Sequence, residues 1–95
     1  MDDRRKKLRF RAWRRGFREL DLILGAFADA HLEELSEERL DEFEALMLHA
    51  NDQDTYAWIV GTSIAPPAFD TETLRLIRSF RYFTRHALEN GPDRP

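Results

Sequence analysis

The sequence predicts an all-α fold, a compact five-helix bundle forming a single domain. Its 95 residues suffice for one small domain. Leu and Ala supply 22 of the 40 apolar residues and Val and Ile only five, a bias that favours helices over strands. Apolar residues also recur at the three- and four-residue spacing of a helix face. We assign residues 1–91 to this helical domain and expect residues 92–95 to be disordered.

The first two helices are predicted from apolar stripes on either side of Gly16. Before the glycine, Phe10, Trp13 and Phe17 recur at i, i+3 and i+7, with Leu8 and Ala12 alongside, among Arg and Lys residues. Gly16 is expected to end this helix. The second helix is predicted over residues 19–30, with a partly buried histidine at its end, and its stripe is Leu20, Ile23, Leu24, Phe27 and His31.

The third and fourth helices are predicted mainly from their caps. Ser36 before two glutamates is typical of an N-cap followed by an acidic first turn. The buried face of this helix is expected to be Leu40, Phe43, Leu46 and Met47. Asn51 and Asp52 can cap the fourth helix, which is expected to end at Gly61. Its apolar side is Tyr56, Ile59 and Val60, and Trp58 is predicted to lie off that stripe.

The predicted connector, residues 61–70, contains Pro66 and Pro67, which disfavour helix. It is the only substantial loop that we predict. Asp70 or Thr71 is expected to cap a last helix. The apolar positions of that helix are Leu76, Ile77, Phe80, Phe83, Thr84, Ala87 and Leu88.

Charge is distributed very unevenly along the chain, although the net charge is only -3. Residues 1–19 carry nine basic and three acidic side chains, a net of +6. Residues 20–58 carry one basic and eleven acidic side chains, a net of -10. This split predicts either an intramolecular contact of the basic segment with the acidic one, or two docking faces of opposite charge.

Neither catalysis nor a bound metal is predicted. The chain has no cysteine, and its three histidines, His31, His49 and His86, fall on separate elements without an HExxH pair. Nucleophile-elbow and nucleotide-binding motifs are absent. The sequence therefore predicts no catalytic residue, no metal site and no cofactor of its own. It also predicts no signal peptide or membrane span, which favours a cytoplasmic or matrix-like compartment.

Interaction proteins of several kinds remain compatible with these patterns. The basic first helix could neutralise phosphates, so nucleic-acid binding is one alternative. The -10 segment that follows weighs against it, because it would repel the same phosphates. A small regulatory or antitoxin-like partner of another protein is a further alternative. A monomer is expected when the chain is free, because the five-helix core accounts for the apolar stripes.

The joint between the first two helices, residues 15–21, combines a bare glycine with opposite charges. If the backbone is helical there, Arg15 and Glu19 are four residues apart and share a face, with Gly16 between them. This spacing is compatible with a flat charged patch. It is also compatible with a helix-ending glycine beside an ordinary surface ion pair.

This joint, RGFRELD, resembles the RGxxELD signature of the SdhE-type FAD assembly factors, the family of succinate dehydrogenase assembly factors. A second block is similar as well. It runs from Leu35 and Ser36 through an acidic helix to acids before an aromatic residue and a tryptophan, here Asp52, Asp54, Tyr56 and Trp58. The two blocks cover residues 8–60, whereas the connector and the last helix match the family weakly.

The resemblance implies an assembly factor that binds the flavoprotein subunit of succinate dehydrogenase, and often of fumarate reductase. It implies that the factor promotes covalent attachment of FAD to a histidine of that subunit without being the catalyst. The signature places Arg15, Gly16 and Glu19 on the surface that meets the partner. Asp21, Asp52, Tyr56 and Trp58 are secondary candidates, with the alternative that Asp52 is only a cap and the aromatic residues belong to the core.

Overall fold

The computed structural model describes residues 1–90 of the chain, with side chains through Arg81. Its helices are α1 (Asp3–Ala12), α2 (Arg18–His31), α3 (Glu37–His49), α4 (Asp52–Val60) and α5 (Glu72–Asn90), with a 3-10 helix at Leu32–Glu34. Residues 1–90 contain no β-strand, which confirms the all-α prediction. No helix in this range has the length and apolarity needed to cross a bilayer. The predicted disorder of residues 92–95, and the side chains predicted for the last helix beyond Phe80, lie outside the described part.

Helix α2 lies at the centre and packs against both α1 and α5. Its stripe is buried as predicted: Leu20 and Leu24 are inaccessible to solvent, and the ring of Phe27 stacks on that of Phe43 from α3 at 5.7 Å. Phe80 from α5 meets Phe27 edge-on at 5.8 Å. Burial of these rings and aliphatic side chains is the main contribution to the stability of the bundle.

Capping residues lie at the helix termini where the sequence predicts them. Ser36 Oγ and Asn51 Oδ1 each accept a hydrogen bond from the amide three residues on, at 3.2 and 2.7 Å. Thr71 Oγ1 does the same for α5 at 3.2 Å. Gly61 ends α4 with φ of 90°, in the left-handed region that favours glycine.

The first helix is shorter than predicted and has a different buried face. It ends at Ala12 rather than near Gly16, so residues 13–17 form a second irregular segment besides the connector. Leu8 and Ala12 are buried, whereas Phe10 is 59% exposed. The prediction is therefore confirmed for Leu8 and Ala12 and wrong for Phe10. Trp13 leaves the helix and covers α2 instead, and Phe10 is left on the outer side.

Trp58 belongs to the core, and the prediction that it lies off the apolar side of α4 is wrong. It is 6% exposed, and its ring stacks on that of Phe69 at 5.3 Å. The connector, residues 61–70, folds back and brings Phe69 against α4. Because this contact depends on the path of the connector, the periodicity of α4 alone could not predict it.

Part of the basic segment binds the acidic one within the molecule, as one of the two charge hypotheses predicts. The guanidinium of Arg4 lies within ion-pair distance of three carboxylates along α3, those of Glu37, Asp41 and Glu44. Arg5 donates to the carbonyl oxygens of Leu32 and Leu35 at 3.0 and 2.8 Å. These contacts hold α1 against the 3-10 helix and α3.

Candidate functional site

The Arg15 side chain links three parts of the chain at the joint between α1 and α2. Its Nε donates to Asp52 Oδ1 at 2.9 Å, in the first turn of α4. Its Nη2 donates to the carbonyl of Met47 at 3.1 Å, in the last turn of α3. That carbonyl lacks a partner within its own helix, so Arg15 satisfies it and also pairs with a carboxylate.

Asp21 fixes the backbone of the same joint. Its carboxylate accepts a hydrogen bond from the amide of Arg15, and it lies in the first turn of α2. The chain from Arg15 to Asp21 is therefore closed into a loop by its own two ends. Asp21, a secondary candidate from the sequence, is a structural acceptor at this position.

Arg15 and Glu19 do not share a helix face, which corrects the geometry expected from their spacing. Residues 13–17 are not helical, and α2 begins only at Arg18. The Arg15 side chain is 12% exposed and turned toward Asp52, whereas Glu19 is exposed. Among residues 1–81, Glu19 forms no ion pair.

Asp52 approaches Gly16 closely, and any Cβ there would push its carboxylate aside. A Cβ at residue 16 would lie 2.8 Å from Asp52 Oδ2, closer than van der Waals contact allows. The φ of Gly16 is not positive, since Gly61 is the residue with positive φ in the described chain. Gly16 is therefore not a left-handed helix cap, and its backbone lies exposed beside the Arg15 to Asp52 ion pair.

Tyr56 lies beside this joint, and Trp58 does not. The ring of Tyr56 meets that of Phe17 edge-on at 5.1 Å, and both rings are half-buried. Two residues further along α4, Trp58 points into the core toward Phe69. The structure thus brings Arg15, Gly16, Asp21, Asp52 and Tyr56 together, with Glu19 at the edge.

We call the accessible part of this region the motif surface. It consists of Gly16, Arg18, Glu19, Asp52 and Tyr56. Sequence reasoning missed Arg18, which is exposed one residue before Glu19. The signal was available, because Arg18 and Glu19 both fall on the polar side of the α2 stripe.

A cavity is lined by residues of α2, the 3-10 helix and α5 and by Leu35. It measures about 520 Å³ and is lined by Phe27, His31, Glu34, Leu35, Leu76, Ser79 and Phe80. None of the motif-surface residues lines it. His31 is half-buried against the rings of Phe27 and Phe80, which confirms the partly buried histidine predicted at the end of α2.

Comparison with known proteins identifies the family. A family model described as "flavinator of succinate dehydrogenase" matches residues 6–81. Succinate dehydrogenase assembly factor 2, mitochondrial, of Dictyostelium discoideum is 38% identical over 88 residues, which cover 93% of this chain and 57% of that protein. The mitochondrial succinate dehydrogenase assembly factor 2-B of Drosophila melanogaster is 34% identical over 79 residues, 82% of this chain and 51% of that protein.

The chain spans about half the length of these curated relatives. The match includes the whole of the Arg15 to Asp21 segment and the first turn of α4, the two stretches that build the motif surface. Neither the family model nor the relatives support nucleic-acid binding or an antitoxin-like role. The chain therefore belongs to the family of flavinators of succinate dehydrogenase.

Proposed function

We propose that this chain binds the flavoprotein subunit of succinate dehydrogenase and promotes covalent attachment of FAD to a histidine of that subunit. Family membership supports the proposal, and so do the names of the relatives, which are succinate dehydrogenase assembly factors. In this proposal the chain is not the enzyme, and FAD is a group of the partner. The flavoprotein of fumarate reductase is proposed as a second partner of the same kind.

The observation that carries the proposal is the fixed, side-chain-free backbone at Gly16. Arg15 is held by Asp52 and Met47, and its amide by Asp21, so the loop is ordered before a partner arrives. A backbone without a Cβ lets a second backbone approach closely. Exposed Glu19 and Arg18 on either side supply one charge of each sign, which suits recognition of polar groups on a partner.

The proposed mechanism is orientation. The factor holds the immature flavoprotein in a conformation that aligns its histidine with the flavin C8 methyl, and residues of the flavoprotein carry out the chemistry. Correct alignment of two reacting groups can accelerate a reaction by several orders of magnitude. A small rigid surface is sufficient for this role. We further propose that the chain acts as a monomer in the bacterial cytoplasm, or in the mitochondrial matrix if it is eukaryotic.

Covalent flavin in the partner tests this proposal directly. In a strain that lacks the chain, we expect the succinate dehydrogenase flavoprotein to accumulate without covalent flavin. Loss of in-gel flavin fluorescence at that subunit, restored by a plasmid copy, is the expected result. Full fluorescence in the deletion strain would contradict the proposal.

The contribution of Glu19 is tested with a matched pair of variants. Glu19→Gln should weaken binding to the flavoprotein and lower flavin fluorescence, because it removes the exposed acid of the motif surface. Glu38→Gln is the control. Glu38 is also exposed and is likewise the second residue of a helix, so both changes remove the same kind of interaction between an acid and the helix dipole. Equal effects of the two variants would contradict a specific role for Glu19.

A further inference from the structure

Six of the cations between residues 4 and 14 fall into two sets with different surroundings. Arg4 and Arg5 face inward and bind α3 and the 3-10 helix. A second set points away from the bundle around the exposed ring of Phe10. We call these cations together with the ring the basic face, and its members are Lys6, Lys7, Phe10, Arg11 and Arg14.

The basic face is a continuous surface around one exposed aromatic ring. Phe10 is 59% exposed, and Lys6, Lys7, Phe10 and Arg11 together line a shallow depression. The guanidinium carbon of Arg14 lies 3.7 Å from the centre of the Phe10 ring, a cation–π contact that holds this side chain on the same face. Aromatic residues and arginine are enriched in protein–protein interfaces.

The cations of the basic face have no counter-charge in the described chain. Among residues 1–81, Lys6, Lys7, Arg11 and Arg14 take part in no ion pair, although the acidic segment carries eleven carboxylates. The α3 carboxylates that α1 does bind are held by Arg4. The intramolecular contact therefore accounts for only part of the positive charge of the first segment.

The structure contains its own example of what such cations bind. Glu37, Asp41 and Glu44 follow one another at i, i+4 and i+7 on α3, and all three lie within 3.2 Å of Arg4. On the basic face, Arg14 lies just beyond the end of α1 beside the Phe10 ring, and Lys7 and Arg11 lie on α1 at the same i, i+4 spacing. This spacing places side chains in one row along a helix. A helix with carboxylates at that spacing is complementary to the row.

We propose that the basic face of α1 is a second docking site, which binds an acidic helix of the flavoprotein partner. This inference rests on the proposed function. The carboxylates of the docked helix pair with Lys7, Arg11 and Arg14, and one of its apolar side chains covers Phe10. A partner with an apolar anchor among its acids matches the face better than a plain polyanion, because only the former buries the ring.

The basic face is adjacent to the motif surface along the chain. Arg14 directly precedes the Arg15 and Gly16 loop, and exposed Arg18 follows it. A partner that covers Gly16 and Glu19 can therefore also contact α1. The charged face is expected to accelerate association, and the motif surface to define the bound geometry.

Binding of the wild-type chain to the purified apo-flavoprotein subunit of succinate dehydrogenase, followed by surface plasmon resonance, tests the inference. Lys7→Gln/Arg11→Gln should raise Kd by about tenfold at low salt, mainly through a slower association rate, and the difference should shrink at high salt. Phe10→Ala, which removes no charge, should raise Kd at both salt concentrations.

The control is Arg9→Gln/Arg75→Gln, which changes the net charge equally. Both residues are exposed; Arg9 lies about 160° around α1 from Lys7, and Arg75 lies on α5. We expect its Kd to stay within about twofold of the wild-type value, since only general charge is altered. Circular dichroism confirms that each variant is folded.

The outcomes separate the inference from the proposed function. If the wild-type chain does not bind the flavoprotein, the proposed function fails and the inference fails with it. If the wild type binds, but Lys7→Gln/Arg11→Gln behaves like its control, the inference alone is overturned. It is also overturned if that variant keeps full affinity for the flavoprotein while losing binding to anionic vesicles, to duplex DNA or to a second copy of the chain.

Discussion

At the scale of single residues, the family signature is a set of contacts in which each residue has a different role. Arg15 and Asp21 act within the molecule, because one is turned toward Asp52 and the other accepts from the backbone. Gly16 provides the space that Asp52 needs. Glu19 is exposed, and among residues 1–81 it forms no ion pair. The signature is therefore not only a binding patch, because some of its residues order their own loop.

Gly16→Ala should destabilise the fold by about 1 kcal/mol, because the new Cβ displaces the Asp52 carboxylate from Arg15. In an Asp52→Ala background the same change should cost less, since the overlapping oxygen is gone and alanine restricts the unfolded chain. Urea denaturation of the four proteins in this double-mutant cycle gives the interaction free energy between residues 16 and 52. An equal cost in both backgrounds would mean that Asp52 is not the reason for the glycine.

At the scale of elements, α1 and α2 meet through a tryptophan and a glycine. The indole of Trp13 lies directly over Gly25, where a Cβ would overlap the ring, and its Nε1 donates to Asp29 Oδ1 at 3.2 Å. Gly25 is buried in the middle of α2, where glycine has a lower helix propensity than alanine. The close packing of the ring explains why a glycine stands there.

Gly25→Ala therefore tests whether packing or propensity decides this contact. We expect a loss of about 1 to 3 kcal/mol in the free energy of unfolding, because overpacking outweighs the gain of about 1 kcal/mol in helix propensity. Chemical denaturation measures it. In a Trp13→Ala background, where the ring is absent, the same substitution should be neutral or stabilising. A stabilising effect in the wild-type background would contradict the packing described for Trp13.

Glu42 connects α3 to α5 and makes that contact sensitive to pH. Its carboxylate accepts from Thr73 N and Oγ1 at 3.1 and 2.9 Å, and it pairs with Arg39. Burial raises the pKa of Glu42, but the hydrogen bonds from Arg39 and Thr73 outweigh it, so the pKa is lowered overall. Because the folded pKa lies below the unfolded one, this contribution is present at neutral pH and is lost as the pH falls through the folded pKa.

Glu42→Gln should accordingly be less stable than wild type at neutral pH. The gap between the two free energies of unfolding should narrow as the solution is acidified. Urea midpoints recorded across that range measure the gap. Glu38→Gln, at an exposed acid on the same helix, is the control and should show little gap at any pH. A gap for Glu42→Gln that stays constant with pH would contradict a role for its ionised form.

At the scale of the whole molecule, the charge split is partly neutralised by folding and partly left on the surface. Arg4 crosses from α1 to three carboxylates of α3, and hydrogen bonds to Asp41 and Glu44 raise its pKa. Lys6, Lys7, Arg11 and Arg14 lie instead on the basic face. The two hypotheses from the sequence, an internal contact and a charged docking face, thus concern different residues of one basic segment.

Arg4→Gln should lower stability more than Arg75→Gln, because Arg4 joins distant helices whereas Arg75 pairs with Asp70 and Glu72 nearby in sequence. Since these pairs are accessible to solvent, the difference should diminish at high salt. Thermal unfolding at low and high sodium chloride measures it. A difference that is independent of salt would show that Arg4 acts through packing of its aliphatic chain.

Periodicity and capping residues predicted α2 to α5 and the central stripe of α2, because both signals depend on residues a few positions apart. The family signature also located the candidate site. The pairing of Arg15 with Asp52, the stacking of Phe69 on Trp58 and the outward position of Phe10 could be seen only in the folded molecule. Arg15 and Asp52 are 37 residues apart, and local spacing contains no information on which distant residue a side chain will meet. Those contacts follow from how the helices pack and where the connector runs.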